Sequence, residues 1–194
     1  IPDIMTLGEV QKVLQGLLFG SIAILSMINP VVFDKGIIFD GRSIVLSLCS
    51  LFFGPVSGVI SCTMAIVKRI FIGGSGTLMG ISVALESTII GIIFYFLKEN
   101  NKITLNNLNI LLVGIIVHIF MIISMIFLPI DSRYQVFKQL ALPIIIFYPI
   151  ATLFIGKILI DQENIILLNK QLKEEQNKLK TLQQNIPGMI YKVN

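Results

Sequence analysis

Residues 36–80 read GIIFDGRSIVLSLCSLFFGPVSGVISCTMAIVKRIFIGGSGTLMG, an apolar stretch in which Asp40, Arg42, Lys68 and Arg69 stand among glycines. An arginine at the bilayer centre costs roughly 2.5 to 3.5 kcal/mol on insertion scales and less near the interface. Arginines that border a membrane segment therefore snorkel to the headgroups, pair with an acid or bind something. Arg42 and Arg69 each stand beside a glycine-bearing turn, and from the residues alone both snorkelling and binding stay open.

The rest of the chain places this stretch in a membrane. Of 194 residues, 55% are hydrophobic and 13% charged, and the mean hydropathy is +0.88. A soluble domain carries about 25% charged residues, so this composition predicts an integral membrane protein. Apolar runs give five candidate spans: about Val13 to Ile28, Ser43 to Val67, Thr77 to Leu97, Ile110 to Leu128 and Gln139 to Gly156. Each is near the ~20 residues that a helix needs to cross the hydrocarbon core. The fold class expected is an all-α membrane helix bundle of about five helices. Pro55 lies inside the second run, removing a backbone donor, and predicts that this span is two helical pieces; Pro143 and Pro149 make the same case for the fifth.

Beyond Gly156 the composition turns polar, yet apolar residues recur at Ile158, Ile165, Leu168, Leu172, Leu179, Leu182 and Ile186, with Asp161 and Glu175 filling the gaps. Alternating steps of three and four are a heptad seam. The phase runs back to Phe154 in the last span, so that span is expected to continue as a parallel, dimeric coiled coil over 157–185. A solvated helix on the membrane surface is the other reading, but it would need a broader apolar stripe. Pro187 and Gly188 then end the helix and a short alternating run begins, which resembles the opening of a PAS domain at 186–194. With Ile rather than Met at position 1, this suggests a fragment of a longer protein.

Four ordered blocks carry a further resemblance: Asn29-Pro30, the Gly-Ile-Ile-Phe-Asp-Gly-Arg block at 36–42, Gly-Pro-x-x-Gly at 54–58 and Arg-x-x-x-Gly-Gly-x-Gly at 69–76. Together they resemble the five-transmembrane receptor module of the LytS/YhcK type, which precedes bacterial histidine kinases and diguanylate cyclases. The Asp40-Gly41-Arg42 triplet is more similar to the branch coupled to PAS and cyclase domains, because the kinase branch often has Asn-x-Arg there. The resemblance implies a sensory input module spanning 1–156, in the bacterial cell membrane, with a cytoplasmic C-terminus. Kinase-branch relatives associated with small carboxylates such as pyruvate carry a Cys and a Ser where this chain has Gly80 and Val83, a departure that argues against carrying the same ligand over.

From the residues, a straight helix would hold Arg42 and Arg69 ~40 Å apart, and only a break at Pro55 lets them converge. The expected site is a pocket for a small carboxylate or other anion, built from Arg42, Arg69, Asp40, the turn glycines Gly73, Gly74 and Gly76, and Glu86 as a buried partner to an arginine. Glu86 reads equally as a structural ion pair, and Asp40 as a residue that only orients Arg42. His118 reads as a packed, hydrogen-bonded residue rather than a metal ligand, since no second ligand has suitable spacing. Cys49 and Cys62 read as small packing residues, and the Gly-x-x-x-Gly spacings at 16–20, 54–58 and 76–80 as close helix packing.

No cofactor or metal signature is present, and the expected partners are an anionic ligand, a second copy of the chain and membrane lipid. A net charge of +4, with the tail's lysines interleaved among Glu and Gln, argues against nucleic acid. Five spans with a cytoplasmic tail put the turn at 33–42 inside and the turn at 73–76 outside, which leaves Lys68, Arg69, Arg133 and Lys138 toward the outer side against the positive-inside tendency; either the second span re-enters or those cations are kept for binding. Beside the sensory module, a small-molecule transporter stays in view because broken helices with arginines describe carriers too, although no inverted repeat is visible. A membrane-embedded enzyme is disfavoured, as no nucleophile and base form a set.

Overall fold

The computed structural model describes residues 7–28, 30–34 and 37–184. The PAS-like run at 186–194, the last seam position Ile186, and Asn29 and Gly36 of the motif blocks lie outside the described residues. The chain divides into two units, Ile1–Lys157 and Ile158–Asn194.

The first unit holds α1 (Leu7–Ser26), a hairpin of β1 (Val31–Asp34) and β2 (Ile37–Phe39), α2 (Arg42–Ile72), α3 (Thr77–Glu99), α4 (Asn107–Ile123) with a 3-10 turn at Ser124–Phe127, and the first half of α5 (Ile130–Gln184). This is the all-helical membrane bundle expected. Among the described residues, four segments are long and apolar enough to cross a membrane: Arg42–Ile72, Thr77–Glu99, Asn107–Phe127 and Ile130–Leu182. The remaining helix, α1, opens with Glu9, Gln11, Lys12 and Gln15, which dilute its first turns. The β-hairpin is an addition to the expected picture. It pairs Val31 with Phe39 and Val32 with Ile38, with an irregularity before Asp34–Ile37.

The decisive element is α2. At Gly54 the backbone leaves the helix with φ 84° and ψ −173°, a region open essentially to glycine alone, and Pro55 follows without an N–H to bond across the break. The chain reverses there. Ser61 Oγ donates to Cys49 Sγ at 3.5 Å, where an unbroken helix would separate the two residues by ~18 Å. A methyl group at Gly58 would overlap the Ser50 hydroxyl. The two arms, residues 42–53 and 55–72, therefore lie back to back. The tip at Gly54 packs on Tyr95, near the end of α3; an added Cβ would come 2.9 Å from the ring.

Of the two alternatives for the second span, a single crossing or re-entry, the reversal shows re-entry. Asp40–Arg42 and the turn at 73–76 stand at the same end of the bundle, together with the start of α5, while the Gly54 tip, the α3–α4 connection and Gly156 stand at the other. An α2 that crosses once would have parted them; one that folds back cannot.

A correction concerns α5, which stays helical through Pro143 and Pro149. Neither proline follows a glycine, so nothing there offers the positive φ that turns the chain at Gly54. Small residues let the helices close. Gly16 and Gly20 of α1 receive Ile60 and Met64 of the second α2 arm, Gly91 of α3 receives the Ser47 carbonyl, and Gly114 of α4 receives Pro149 and Thr152 of α5. This is the close packing expected of the spaced glycines at 16–20 and 54–58. At the arginine end, Ile37 and Phe39 of the hairpin bury among Met79, Val83, Met121 and Leu128.

Candidate functional site

The reversal of α2 brings the N-terminus of its first arm and the last turn of its second arm together. Arg42 opens the first arm and Arg69 closes the second, and the two residues are 5% and 1% exposed. Both guanidinium groups reach α3 at Gly80, where an added Cβ would sit 2.5 Å from Arg69 Nε and 2.9 Å from Arg42 Nη2. Only a glycine leaves room for the two cations at that point of the helix.

Each arginine is held from its own side. Asp40 leaves β2 with its carboxylate turned onto the start of α2: Oδ1 accepts from the Arg42 backbone N–H at 3.0 Å, and Oδ2 lies 3.4 Å from Arg42 Nη1. Asp40 thereby caps a helix start that Gly41 leaves without a side-chain cap. At the other arm, Arg69 Nη1 donates to the Gly73 carbonyl at 2.9 Å. That carbonyl is aimed by a backbone with φ 67° at Gly73 and 90° at Gly74, values that favour glycine at both positions.

The space beside these groups is small. A cavity of about 10 Å³ is lined by Phe39, Asp40, Arg42, Gly80, Val83 and Met121, among others. That is about the space of one water molecule. Arg42 Nε faces no hydrogen-bond acceptor among the described residues. Among the described side chains, two guanidinium groups and one carboxylate thus meet in an apolar shell, where charge interactions are strong; two unit charges 4 Å apart interact by about 4 kcal/mol at an effective dielectric of 20. The chemistry available is anion recognition, with the arginine forks as donors.

Of the expected site residues, the structure brings together Arg42, Arg69, Asp40, Gly73 and Gly76, the last also lining the cavity. Gly74 is in the same turn but exposed, its carbonyl accepting from the Thr77 side chain at 2.8 Å. Glu86 stands apart. Its Oε2 accepts from Ser124 Oγ at 2.6 Å and its buried Oε1 has no hydrogen-bond partner among the described residues, so neither oxygen is hydrogen-bonded to an arginine, against the expected pairing. Gly80 and Val83 belong to the site, although neither stood among the expected ligand residues. Their signal was present: Gly80 lies one turn beyond Gly76, and Val83 one turn further on the same face.

His118 is fully buried on α4 and hydrogen-bonded at both nitrogens, Nε2 to Ser43 Oγ at 3.2 Å and Nδ1 to the Gly114 carbonyl at 2.6 Å. That agrees with the packed, hydrogen-bonded reading. Cys49 and Cys62 are buried free thiols.

A family model described as 5TMR of 5TMR-LYT matches residues 6–162, the whole of the first unit from α1 onward. No curated protein and no solved structure matches the chain.

Proposed function

The chain belongs to the 5TMR-LYT family, a membrane sensory module of signalling receptors, and on that premise we propose that residues 1–156 form a receptor for a small anion, read by Arg42 and Arg69. The observation that carries this reading is the meeting of two buried guanidinium groups over Gly80, beside a cavity that Arg42 lines. Burying cations is costly, and an anion beside both forks offsets that cost. In the closed arrangement the cavity holds about a water, so a carboxylate enters by displacing its walls. Met79 and Met121 are the adaptable ones, and the β-hairpin carrying Phe39 covers the site.

In the proposed receptor the Lys157 end of the first unit faces the cytoplasm of a bacterial cell membrane. The hairpin and both arginines then face the other side, and the ligand arrives from outside. Residues 157–185 form a parallel coiled coil with a second copy of the chain, through Ile165, Leu168, Leu172, Leu179 and Leu182, all exposed in the single chain. Residues 186–194 open a PAS domain that leads to an output domain, a diguanylate cyclase or a histidine kinase. Ligand favours one of two positions of α5; a tenfold difference in affinity between them supplies about 1.4 kcal/mol.

One observation favours a second reading, a small-molecule transporter: folded-back helices also line carrier sites. Uptake of labelled carboxylate into vesicles separates the two. The receptor reading is tested by thermal shift of the purified protein with formate, acetate and pyruvate, beside Arg42→Lys and Arg69→Lys, which keep charge but lose the planar fork. The expected result is a carboxylate that stabilises the parent and neither variant. Equal shifts in all three would contradict it.

A further inference from the structure

Most buried serines of the first α2 arm spend their hydroxyls on their own helix: Ser47 donates to the Ile44 carbonyl at 3.1 Å and Ser50 to the Leu46 carbonyl at 2.8 Å. Ser43 does otherwise. Immediately after Arg42, its hydroxyl crosses to His118 Nε2 on α4. A carbonyl only accepts, so the His118 contact to Gly114 fixes the proton on Nδ1 and leaves Nε2 to accept from Ser43. The imidazole then lies edge-on against the Tyr148 ring of α5, centroids 5.0 Å apart at 64°. One turn earlier on α4, Gly114 admits the backbone of Pro149, with an added Cβ 3.0 Å from Pro149 Cα. Thr152 Oγ1 closes the line by donating to the Tyr148 carbonyl at 2.8 Å.

We propose that His118 is the positioning residue that couples the arginine site to α5, through Ser43 on one side and Tyr148 on the other. The inference rests on reading residues 40–80 as the input site. Ser43, His118 and Thr152 are each fully buried, and a buried polar group costs stability unless its partners stay in place. Movement of the first turn of α2, where Asp40 and Arg42 are anchored, changes the Ser43 to His118 bond first. The ring can follow only by shifting against Tyr148 and Pro149, because Gly114 leaves no slack between α4 and α5. The packed line therefore converts a shift at Arg42 into a shift of α5.

The test needs no ligand, so it can fail without the anion reading failing. Nitroxide labels are placed by Asn100→Cys and Lys157→Cys, both exposed and both at the end away from the arginines, with the buried Cys49 and Cys62 left in place. Distances are measured in the full chain. Asp40→Asn, which loosens the anchor on Arg42, is expected to move the mean distance by about 2 Å, the scale of helix shifts in switching proteins. Adding Ser43→Ala removes that response, and so does His118→Phe, which fills the ring's place without its nitrogens. Adding Ser47→Ala leaves it intact, which separates coupling from the mere loss of a buried hydroxyl. No response to Asp40→Asn in the otherwise native chain, or a response undiminished by Ser43→Ala, overturns the proposal. Thermal shift with carboxylates on the same proteins reports separately whether the anion site holds.

Discussion

Two helices of this protein carry internal prolines, and they behave in opposite ways. In α2, Pro55 follows Gly54 and the chain doubles back; in α5, Pro143 and Pro149 follow Leu142 and Tyr148 and the helix continues. Proline alone removes a hydrogen bond and crowds the preceding turn, which neighbouring helices in a membrane can absorb. A glycine in front of it adds access to a backbone region where other residues are strained. The functional consequence follows from that one residue. A doubled α2 gathers Arg42 and Arg69 at one end, and α5, unbroken at Pro143 and Pro149, runs within the first unit from that end to the other.

The largest effect is expected from breaking the turn itself. Gly54→Ala forces a strained φ and sets a methyl 2.9 Å from the Tyr95 ring, at a cost on the order of 2 to 4 kcal/mol. Thermal melting in detergent should drop accordingly, and carboxylate binding should vanish even where folded protein is recovered. A second, narrower effect comes from Gly80→Ala. Its methyl displaces the Arg69 and Arg42 groups, so carboxylate affinity falls tenfold or more, or about 1.4 kcal/mol, while melting changes less than in Gly54→Ala because alanine gains roughly 1 kcal/mol of helix propensity. Glu86→Gln sharpens the site from outside. Its carboxylate bonds Ser124 rather than an arginine, so binding measured by calorimetry should match the parent. The smallest effect belongs to α5: Pro143→Ala should keep melting within about 1 kcal/mol of the parent, since the helix already runs through that position.

Much of this was legible in the sequence, and the misses have physical reasons. Five apolar runs place five helices because length and hydropathy are local properties. The Gly54-Pro55 pair marks a break for the same reason, but the direction of the break depends on what the arms meet. Here Ser50 meets Gly58, and Tyr95 receives the tip. Those contacts are tertiary, so the sequence leaves re-entry of the second span as one of two alternatives and the structure selects it. The β-hairpin escaped because strands of four and three residues are too short for a periodic signal. At the site, Arg42, Asp40 and Arg69 stood out as charges in an apolar stretch. Glu86 stood out by the same criterion and misled. Six residues beyond Gly80, it lies about 240° around α3, on a face turned toward Ser124, whereas Val83 at three residues shares the face of Gly80.

The fold-back of α2 is tested most directly by a crosslink inside the membrane. With Cys62→Ala to remove the other thiol, Ser61→Cys is introduced opposite native Cys49, where the present hydroxyl lies 3.5 Å from the sulfur, and the protein is treated in vesicles with a membrane-permeant oxidant. The account predicts quantitative loss of both free thiols within a single chain, seen as a mass two hydrogens lighter. An unbroken helix holds the two positions ~18 Å apart, so two thiols that persist under the same oxidation would contradict the doubled helix and, with it, the meeting of Arg42 and Arg69.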